Sequence, residues 1–486
     1  MYPFFGLEYE DAFIYVDVSR YLLHHYDWSI DPFQTKSCID GSLSNCNSFG
    51  TFGGHYMILP MIVFVFNKVF GYSYNNIFIV NITASIVLLI FYFKILKLFF
   101  TNNFNLIFAG SLFVTTPLLN IFNTSALAET LSSTFIIIAL YYFFKSSNEE
   151  FILKGISFWI SILFICISFF LKRENFVLLF VPILCGILLK TDKNLTKVKI
   201  LRLFTFFIII LSIALIYNKI AGVNQMEMRE SKDIGTSTFS FDNFKLIFPE
   251  FLGSFLNISY FGISGILFLA FSIYTLFTRN RPRYEFRLIL LFSWIYIFLY
   301  SYHYRSYYQV HFGKIDTFET LRYSSNYFPM ACICFASNKI DYTVFTRFLG
   351  KRALISIFSV YIIFILIINY RTRTDLNKIE FNNRILPVTE TLKLSTENDV
   401  ILTDIPCVFH VFVNDERTII DAYSSSAERI NNLLKNTKNC NVYFLKRINN
   451  EQNTERHPAY FNEIVNLHVT KIKNISPQYE LLKFSN

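Results

Sequence analysis

Glu10 and Asp11 stand side by side in Gly6-Leu-Glu-Tyr-Glu-Asp-Ala-Phe-Ile-Tyr15, ahead of a chain that is strongly apolar from about residue 55 onward. Two adjacent carboxylates at the border of a membrane domain suit proton transfer or ion binding. Residues 10–24 have a helical pattern. Glu10, Asp17 and His24 recur every seven residues with Arg20 nearby, so they form one polar stripe, and Asp17 and Arg20 can pair at i,i+3. Asp11 lies about 100° around from Glu10, toward Ala12, Tyr15, Val18 and Leu22. One reading is an amphipathic interfacial helix whose acids face water. The other is a carboxylate turned into a cavity at the membrane surface. Desolvation beside Tyr9 and Phe13 and repulsion from a second acid both raise a carboxyl pKa and make a better general base.

Three further points carry charge near span ends. Glu129, in Asn123-Thr-Ser-Ala-Leu-Ala-Glu-Thr130, is either a helix cap or a functional acid, since acids at membrane spans are rare. Lys172-Arg173 is either a snorkelling anchor or a phosphate-binding pair. Arg322-Tyr323 opens the segment containing Pro329, where an arginine either anchors the helix or clamps an anion in bidentate geometry. A carboxylate base with cations at one membrane surface suits a substrate that carries a lipid-borne phosphate.

The elements that must position these residues are membrane spans. Of 486 residues, 53% are hydrophobic and 16% charged, with 58 Phe and 30 Tyr. An ordinary soluble domain has about 25% charged residues. Apolar runs near the roughly 17–25 residues a bilayer requires fall at about 77–98, 104–122, 128–145, 152–171, 175–190, 203–221, 261–278, 286–302, 322–338 and 353–369. The reading is a mainly α, polytopic bundle of about ten spans. The net charge of +9 is spread between these runs rather than pooled in one patch, which argues against nucleic acid. Lys94 and Lys97, Lys145 and Lys154, Lys190–Arg202, Arg279–Arg287 and Lys339–Arg352 all fall on one side, which the positive-inside rule makes cytoplasmic. Residues 1–76, 123–127, 172–174, 222–260, 303–321 and 370–486 then face out. The short apolar run 56–71 is expected to be a partial or interfacial helix.

The expected organisation is an extracytoplasmic acidic loop (1–76), a transmembrane bundle (77–369) and a small soluble α/β domain (370–486). In the last, 399–403, 418–421 and 441–445 read as strands, and 383–394 and 426–435 as helices. It has no glycine-rich phosphate loop and no paired metal motif, so docking or structure is its expected role. Cys38 and Cys46 are either a disulfide or two free thiols, and Cys166, Cys185, Cys332 and Cys334 are packing residues in apolar runs. Cys332-x-Cys334 is no zinc signature, and the sequence carries no metal motif.

Glu10-Asp-Ala-Phe-Ile-Tyr-Val-Asp-Val-Ser-Arg-Tyr-Leu22 resembles the first exterior loop of the GT-C membrane glycosyltransferases, which include protein O-mannosyltransferases, lipid A aminoarabinose transferases and arabinofuranosyltransferases. Those loops carry an acidic pair followed by an amphipathic helix; here the first acid is Glu rather than Asp. Gly54-His-Tyr-Met-Ile-Leu-Pro60 through Val69-Phe-Gly71 is similar to the group's His-Pro-Pro-Leu segment and Phe-Gly turn, without the double proline. Ser125–Lys145 resembles the next exterior acid and its span, and Leu321-Arg-Tyr-Ser-Ser-Asn-Tyr-Phe-Pro329 the late Arg-Tyr…Pro helix. Members of the group begin with a span ahead of the acidic loop, so the resemblance implies one preceding Met1.

The resemblance implies a glycosyltransferase of the cell membrane that takes a polyprenyl-phosphate-linked sugar and passes it to a glycan, lipid or protein acceptor outside the cytoplasm. Asp11 or Glu10 would be the base, and Lys172, Arg173 and Arg322 would hold the donor phosphate. Glu129 would help position the acceptor or a cation, and Tyr323 and His55 would serve the acceptor side. The resemblance leaves a divalent cation open, since some relatives use one and others do not, and implies no other cofactor. A lipid-linked glycan polymerase, which Arg229 and Arg305 would suit, and a flippase or transporter are the competing readings. The absence of an internal repeat and the surface position of the charges weigh against the transporter.

Overall fold

The computed structural model describes residues 58–123, 125–147, 156–172, 241–277, 284–303, 324–336, 343–403, 405–412, 418–421, 441–448, 468–476 and 479–485, with single positions 13, 15, 16, 19, 20, 23, 175, 177, 178, 208, 212 and 321. Most of the expected spans 175–190 and 203–221, and the tail helix 426–435, lie outside these residues.

The helices in chain order are α1 (Ile58–Phe70), α2 (Asn76–Phe99), α3 (Asn103–Val114), α4 (Pro117–Asn123), α5 (Glu129–Ser147), α6 (Ile156–Phe169), α7 (Phe241–Leu256), α8 (Ile258–Phe277), α9 (Tyr284–His303), α10 (Ser324–Cys332), α11 (Thr343–Leu349) and α12 (Lys351–Glu380). Among the described residues α2, α8 and α12 are long and apolar enough to cross a bilayer, and α3 with α4 forms a fourth, bent candidate. The fold is a polytopic membrane helical bundle. At 13 residues α1 is shorter than a bilayer crossing.

Local chemistry sets the boundaries. Asn102 caps α3 by accepting a hydrogen bond from Phe104 N at 2.9 Å. The expected single run 104–122 is instead bent by 65° between α3 and α4. Pro117 lacks an N–H, and the Thr115 and Thr116 hydroxyls donate back to Ser111 O (2.8 Å) and Leu112 O (3.3 Å), closing the broken end. A second break lies opposite. Gly262 in α8 has φ +63°, where a side chain is strained. The break leaves Ile263 N outside the helix ladder, and Tyr361 Oη of α12 accepts from it at 3.0 Å. Ser264 Oγ donates to Leu112 O at 2.6 Å, tying the two broken spans together.

Packing follows the apolar faces. Tyr92 of α2 stacks on Phe113 of α3 at 4.0 Å, with its hydroxyl donating to Cys332 O at 3.1 Å. Cys332 and Cys334 are buried and Cys166 half-buried, all three as free thiols, so they pack as small apolar groups. Cys38, Cys46 and Cys185 lie outside the described residues.

Past residue 369, α12 continues without interruption to Glu380, then passes through a π-helical turn (Phe381–Ile385) into α13 (Leu386–Leu394). The tail then folds as a five-stranded sheet: β1 (Val400–Thr403), β2 (Thr418–Asp421), β3 (Val442–Arg447), β4 (His468–Ser476) and β5 (Tyr479–Ser485), with α14 (Pro406–Phe412) between β1 and β2. The order is β2-β1-β3-β5-β4. β1 pairs in parallel with β2 and β3, while β5 and β4 add an antiparallel hairpin. Asp399 ties the corner, accepting from Thr396 N at 2.6 Å and Asn441 N at 2.9 Å. Two bulges and the lysines at 471 and 473 mark edge strand β4, devices that discourage edge-to-edge pairing.

Candidate functional site

Helix direction decides which ends meet. α2, α5 and α10 begin at the end of the bundle where α6, α9 and α12 finish, and the tail domain continues from α12 at that same end. The basic residues Lys97 and Lys145, in the last turns of α2 and α5, lie at the opposite end.

Of the residues singled out in the sequence, Glu129 and Lys172 are described; Glu10, Asp11, His55, Arg173, Arg322 and Tyr323 lie outside the described residues. Lys172 Nζ lies 2.7 Å from Glu129 Oε1, and both side chains are about 95% buried, with 5% and 4% exposure. The helices explain the pairing. Glu129 occupies the first turn of α5, where the helix dipole favours an anion. Lys172 follows the last turn of α6, its backbone N–H donating to Ser168 O at 2.9 Å, and a helix C-terminus favours a cation. Antiparallel α5 and α6 bring these two ends to the same level. Each charge compensates the other where water is excluded, a condition for burying either.

The same level carries a hydrogen-bonded frame. Asn175 Nδ2 donates to Ser132 Oγ (2.7 Å) and Ser168 O (2.9 Å), while Tyr296 Oη of α9 donates to Asn175 Oδ1 (2.9 Å). Asn81 Nδ2 of α2 donates to Ser125 O (2.6 Å) and Leu127 O (2.9 Å), fixing the turn that leads into Glu129. Pro329 sits inside α10 and has no N–H for the carbonyl four residues earlier. That carbonyl, Ser325 O, accepts instead from Ser133 Oγ of α5. On α10, Asn326 Nδ2 donates to Tyr300 Oη at 2.9 Å. Asn326 Oδ1, Ser324 Oγ and Tyr327 Oη are buried with no hydrogen-bond partner among the described residues. Serines on α5 and α10, Asn326 on α10 and the tyrosines of α9, all inside apolar runs, were the signal for this frame, which a search for charged pairs passes over.

The N-terminal segment joins the same end. Phe13, Tyr15, Val16 and Ser19, two to eight residues past Asp11, are helical and buried. Asn67 Nδ2 donates to Ser19 Oγ at 3.2 Å, and Asn76 Nδ2 to Asn67 Oδ1 at 2.7 Å. The Arg20 guanidinium lies 5.5 Å from the Tyr72 ring centre, and Tyr72 Oη donates to Val411 O of α14 at 3.3 Å. The Tyr74 and Phe412 rings meet at 5.9 Å. The segment after the acidic pair, the α1–α2 linker and the tail domain thus form one contact chain. Among the described residues no group of three His, Cys, Asp or Glu side chains converges as a metal site.

No protein-family model matches the sequence, and no curated protein matches it. Solved structures match nearly the whole chain, among them two forms of one protein. ArnT from Cupriavidus metallidurans bound to undecaprenyl phosphate aligns with TM-score 0.62 and 10% identity over 97% of this chain and 93% of that one. The apo form of the same protein aligns with TM-score 0.60 and 11% identity over the same shares. The chain shares the fold of these structures. Likeness at this identity is likeness of fold.

Proposed function

We propose that this chain transfers a sugar from a polyprenyl-phosphate donor to an acceptor at the end of the bundle that carries the tail domain, in the cell membrane and facing out of the cytoplasm. The observation that carries the reading is the near whole-chain likeness to ArnT bound to undecaprenyl phosphate. The position of the basic residues at the opposite end supports the orientation. We divide the chain at 1–76, 77–369 and 370–486, with the last segment an acceptor-side platform.

In this reading Asp11 removes the proton of the acceptor hydroxyl, with Glu10 beside it. Arg173, Arg322 and Lys172 stabilise the negative charge that develops on the departing phosphate. Lys172 gives one of its three ammonium donors to Glu129 Oε1. Glu129 thereby positions the ammonium, and Tyr323 and His55 serve the acceptor side. The frame of Ser132, Asn175 and Tyr296 keeps the pair at the level of the reaction.

The test is transfer from radiolabelled polyprenyl-phosphate sugars in membranes that contain the protein. Asp11→Asn should lower the rate by about 10²–10⁴-fold, the usual contribution of a general base, and Glu10→Gln by less. Full activity in both variants would remove the proposed base. A topology reporter fused after Asn369 should read as extracytoplasmic; a cytoplasmic signal would overturn the orientation.

A further inference from the structure

A chain of buried polar groups grips the helix that follows the acidic pair. On α1, Leu59, Val63 and Asn67 are buried at four-residue spacing, so Asn67 stands where the apolar stripe calls for another aliphatic side chain. On the N-terminal helix Val16 and Ser19 share a face (i,i+3), and Ser19 is fully buried. Asn76 opens α2 and is buried as well.

The bonds among these groups run in one direction. Asn76 Nδ2 donates to Gly71 O at 2.9 Å and to Asn67 Oδ1 at 2.7 Å. Asn67 Nδ2 donates to Ser19 Oγ at 3.2 Å, and Ser19 Oγ donates to Val16 O at 2.7 Å. Gly71, at φ +83°, makes the turn that presents its carbonyl to Asn76. The chain thus starts on the bilayer-crossing α2, passes through the last turn of α1 and ends on the backbone of the N-terminal helix. Next to Ser19, Arg20 holds the ring of Tyr72 in the same α1–α2 linker.

Aliphatic side chains at these three positions would fill the seam without desolvating amides, but they would let the helix rotate or slide. A buried polar chain tolerates neither, because each member is costly when left unsatisfied. A slip of one residue turns a helix by about 100° and would bring Val18 or Arg20 to Asn67 in place of Ser19. Buried polar groups can fix register in this way.

Resting on the proposed base, we infer that Asn67 and Asn76 are positioning residues for the reaction. Through Ser19 they set the rotation and depth of the helix, and so the place of Asp11 against the acceptor hydroxyl. Misplacing a catalytic group by about 1 Å costs on the order of 10²-fold in rate, so the link matters more to transfer than to folding.

The test is a double-mutant cycle on sugar transfer in membranes that contain the protein. Asn67→Leu restores the aliphatic stripe and leaves Asn76 Nδ2 its bond to Gly71 O. It should lower kcat by about 10- to 100-fold while the KM for donor and acceptor changes by less than about twofold. In the Asp11→Asn background the same replacement should lower the remaining rate by less than about twofold, because the group it positions is already gone. Ser19→Ala breaks the same link from the other side by removing one atom. It should repeat both results, and it carries the test if Asn67→Leu fails to fold. Equal losses in the two backgrounds, or an unchanged kcat in both single variants, would show the chain to be structural only and overturn the inference alone. Full activity in Asp11→Asn would overturn the proposed base, and the inference with it.

Discussion

The Lys172 ammonium and the Glu129 carboxylate, 43 residues apart in sequence, meet at 2.7 Å where the start of α5 lies beside the end of α6. A buried pair of this kind is costly to break from one side, because the survivor is left charged and desolvated. Lys172→Met or Glu129→Gln alone should destabilise the fold by about 3–5 kcal/mol, and the double replacement by clearly less than the sum of the two. Thermal unfolding in detergent checks this. Additive losses would show that the two charges do not depend on each other.

Gly262 and Tyr361 form a second coupled pair. A Cβ at position 262 would run into Tyr361 Oη and stand 3.4 Å from Thr115 O, on a backbone with φ +63°. Gly262→Ala should therefore cost about 1–3 kcal/mol, the range for a strained left-handed residue plus a clash. Tyr361→Phe leaves Ile263 N without its acceptor and should cost about 1–2 kcal/mol. In the Tyr361→Phe background the alanine penalty should shrink, since the clashing oxygen is gone. Equal penalties in both backgrounds would remove the steric part of this account.

Much of the bundle is legible in apolar run length. The expected 77–98, 128–145 and 286–302 correspond to Asn76–Phe99, Glu129–Ser147 and Tyr284–His303. Run length alone does not reveal the bend at Pro117, because the residues on both sides are equally apolar; the Thr-Thr-Pro sequence was the available signal. In the tail, three strands follow from alternation, but the β4–β5 hairpin was not anticipated. Lys471 and Lys473 flank Ile472 there and make the edge strand look like loop. Glu129 and Lys172 stood out as charges near span ends, but their pairing depends on α5 and α6 being antiparallel neighbours, which neither residue announces. The serine and asparagine frame was missed because hydroxyls and amides are tolerated in spans.

The tail domain should be acid-sensitive. Hydrogen bonds from Lys393 and Lys473 hold the Glu390 carboxyl at a pKa of about 2. Partial burial pushes the Asp399 carboxyl up, but bonds from Thr396 and Asn441 together outweigh it and hold it below the ordinary carboxylate range. A depressed folded pKa contributes stability above the unfolded value, about 3.9 for Asp and 4.3 for Glu, and that stability is lost as pH falls through the folded one. Lowering the pH from about 4.5 toward 2 should thus reduce amide-exchange protection, the rate relative to that of an unfolded chain at the same pH, in β1, β3 and β4 of the full chain. Glu390→Gln should weaken this pH dependence. Asp399→Asn should lower stability at neutral pH by about 2 kcal/mol, as expected for hydrogen bonds to a charged acceptor. Protection that stays constant across this window would contradict both assignments.

Ser133 and Pro329 complete the argument for a pre-built frame. The proline removes the N–H that would have bonded Ser325 O, and Ser133 Oγ supplies the missing donor from α5. Ser133→Ala should then remove a buried hydrogen bond between α5 and α10 and cost about 0.5–1.5 kcal/mol. Pro329→Ala restores an N–H within α10, so in that background the serine should become nearly dispensable, with a residual cost below about 0.5 kcal/mol. A four-member unfolding cycle in detergent measures the coupling. If Ser133→Ala costs the same with alanine at position 329 as with proline, the hydroxyl does not stand in for the missing amide. The link between α5, which carries Glu129, and α10, which carries Asn326 and Tyr327, would then rest on packing alone.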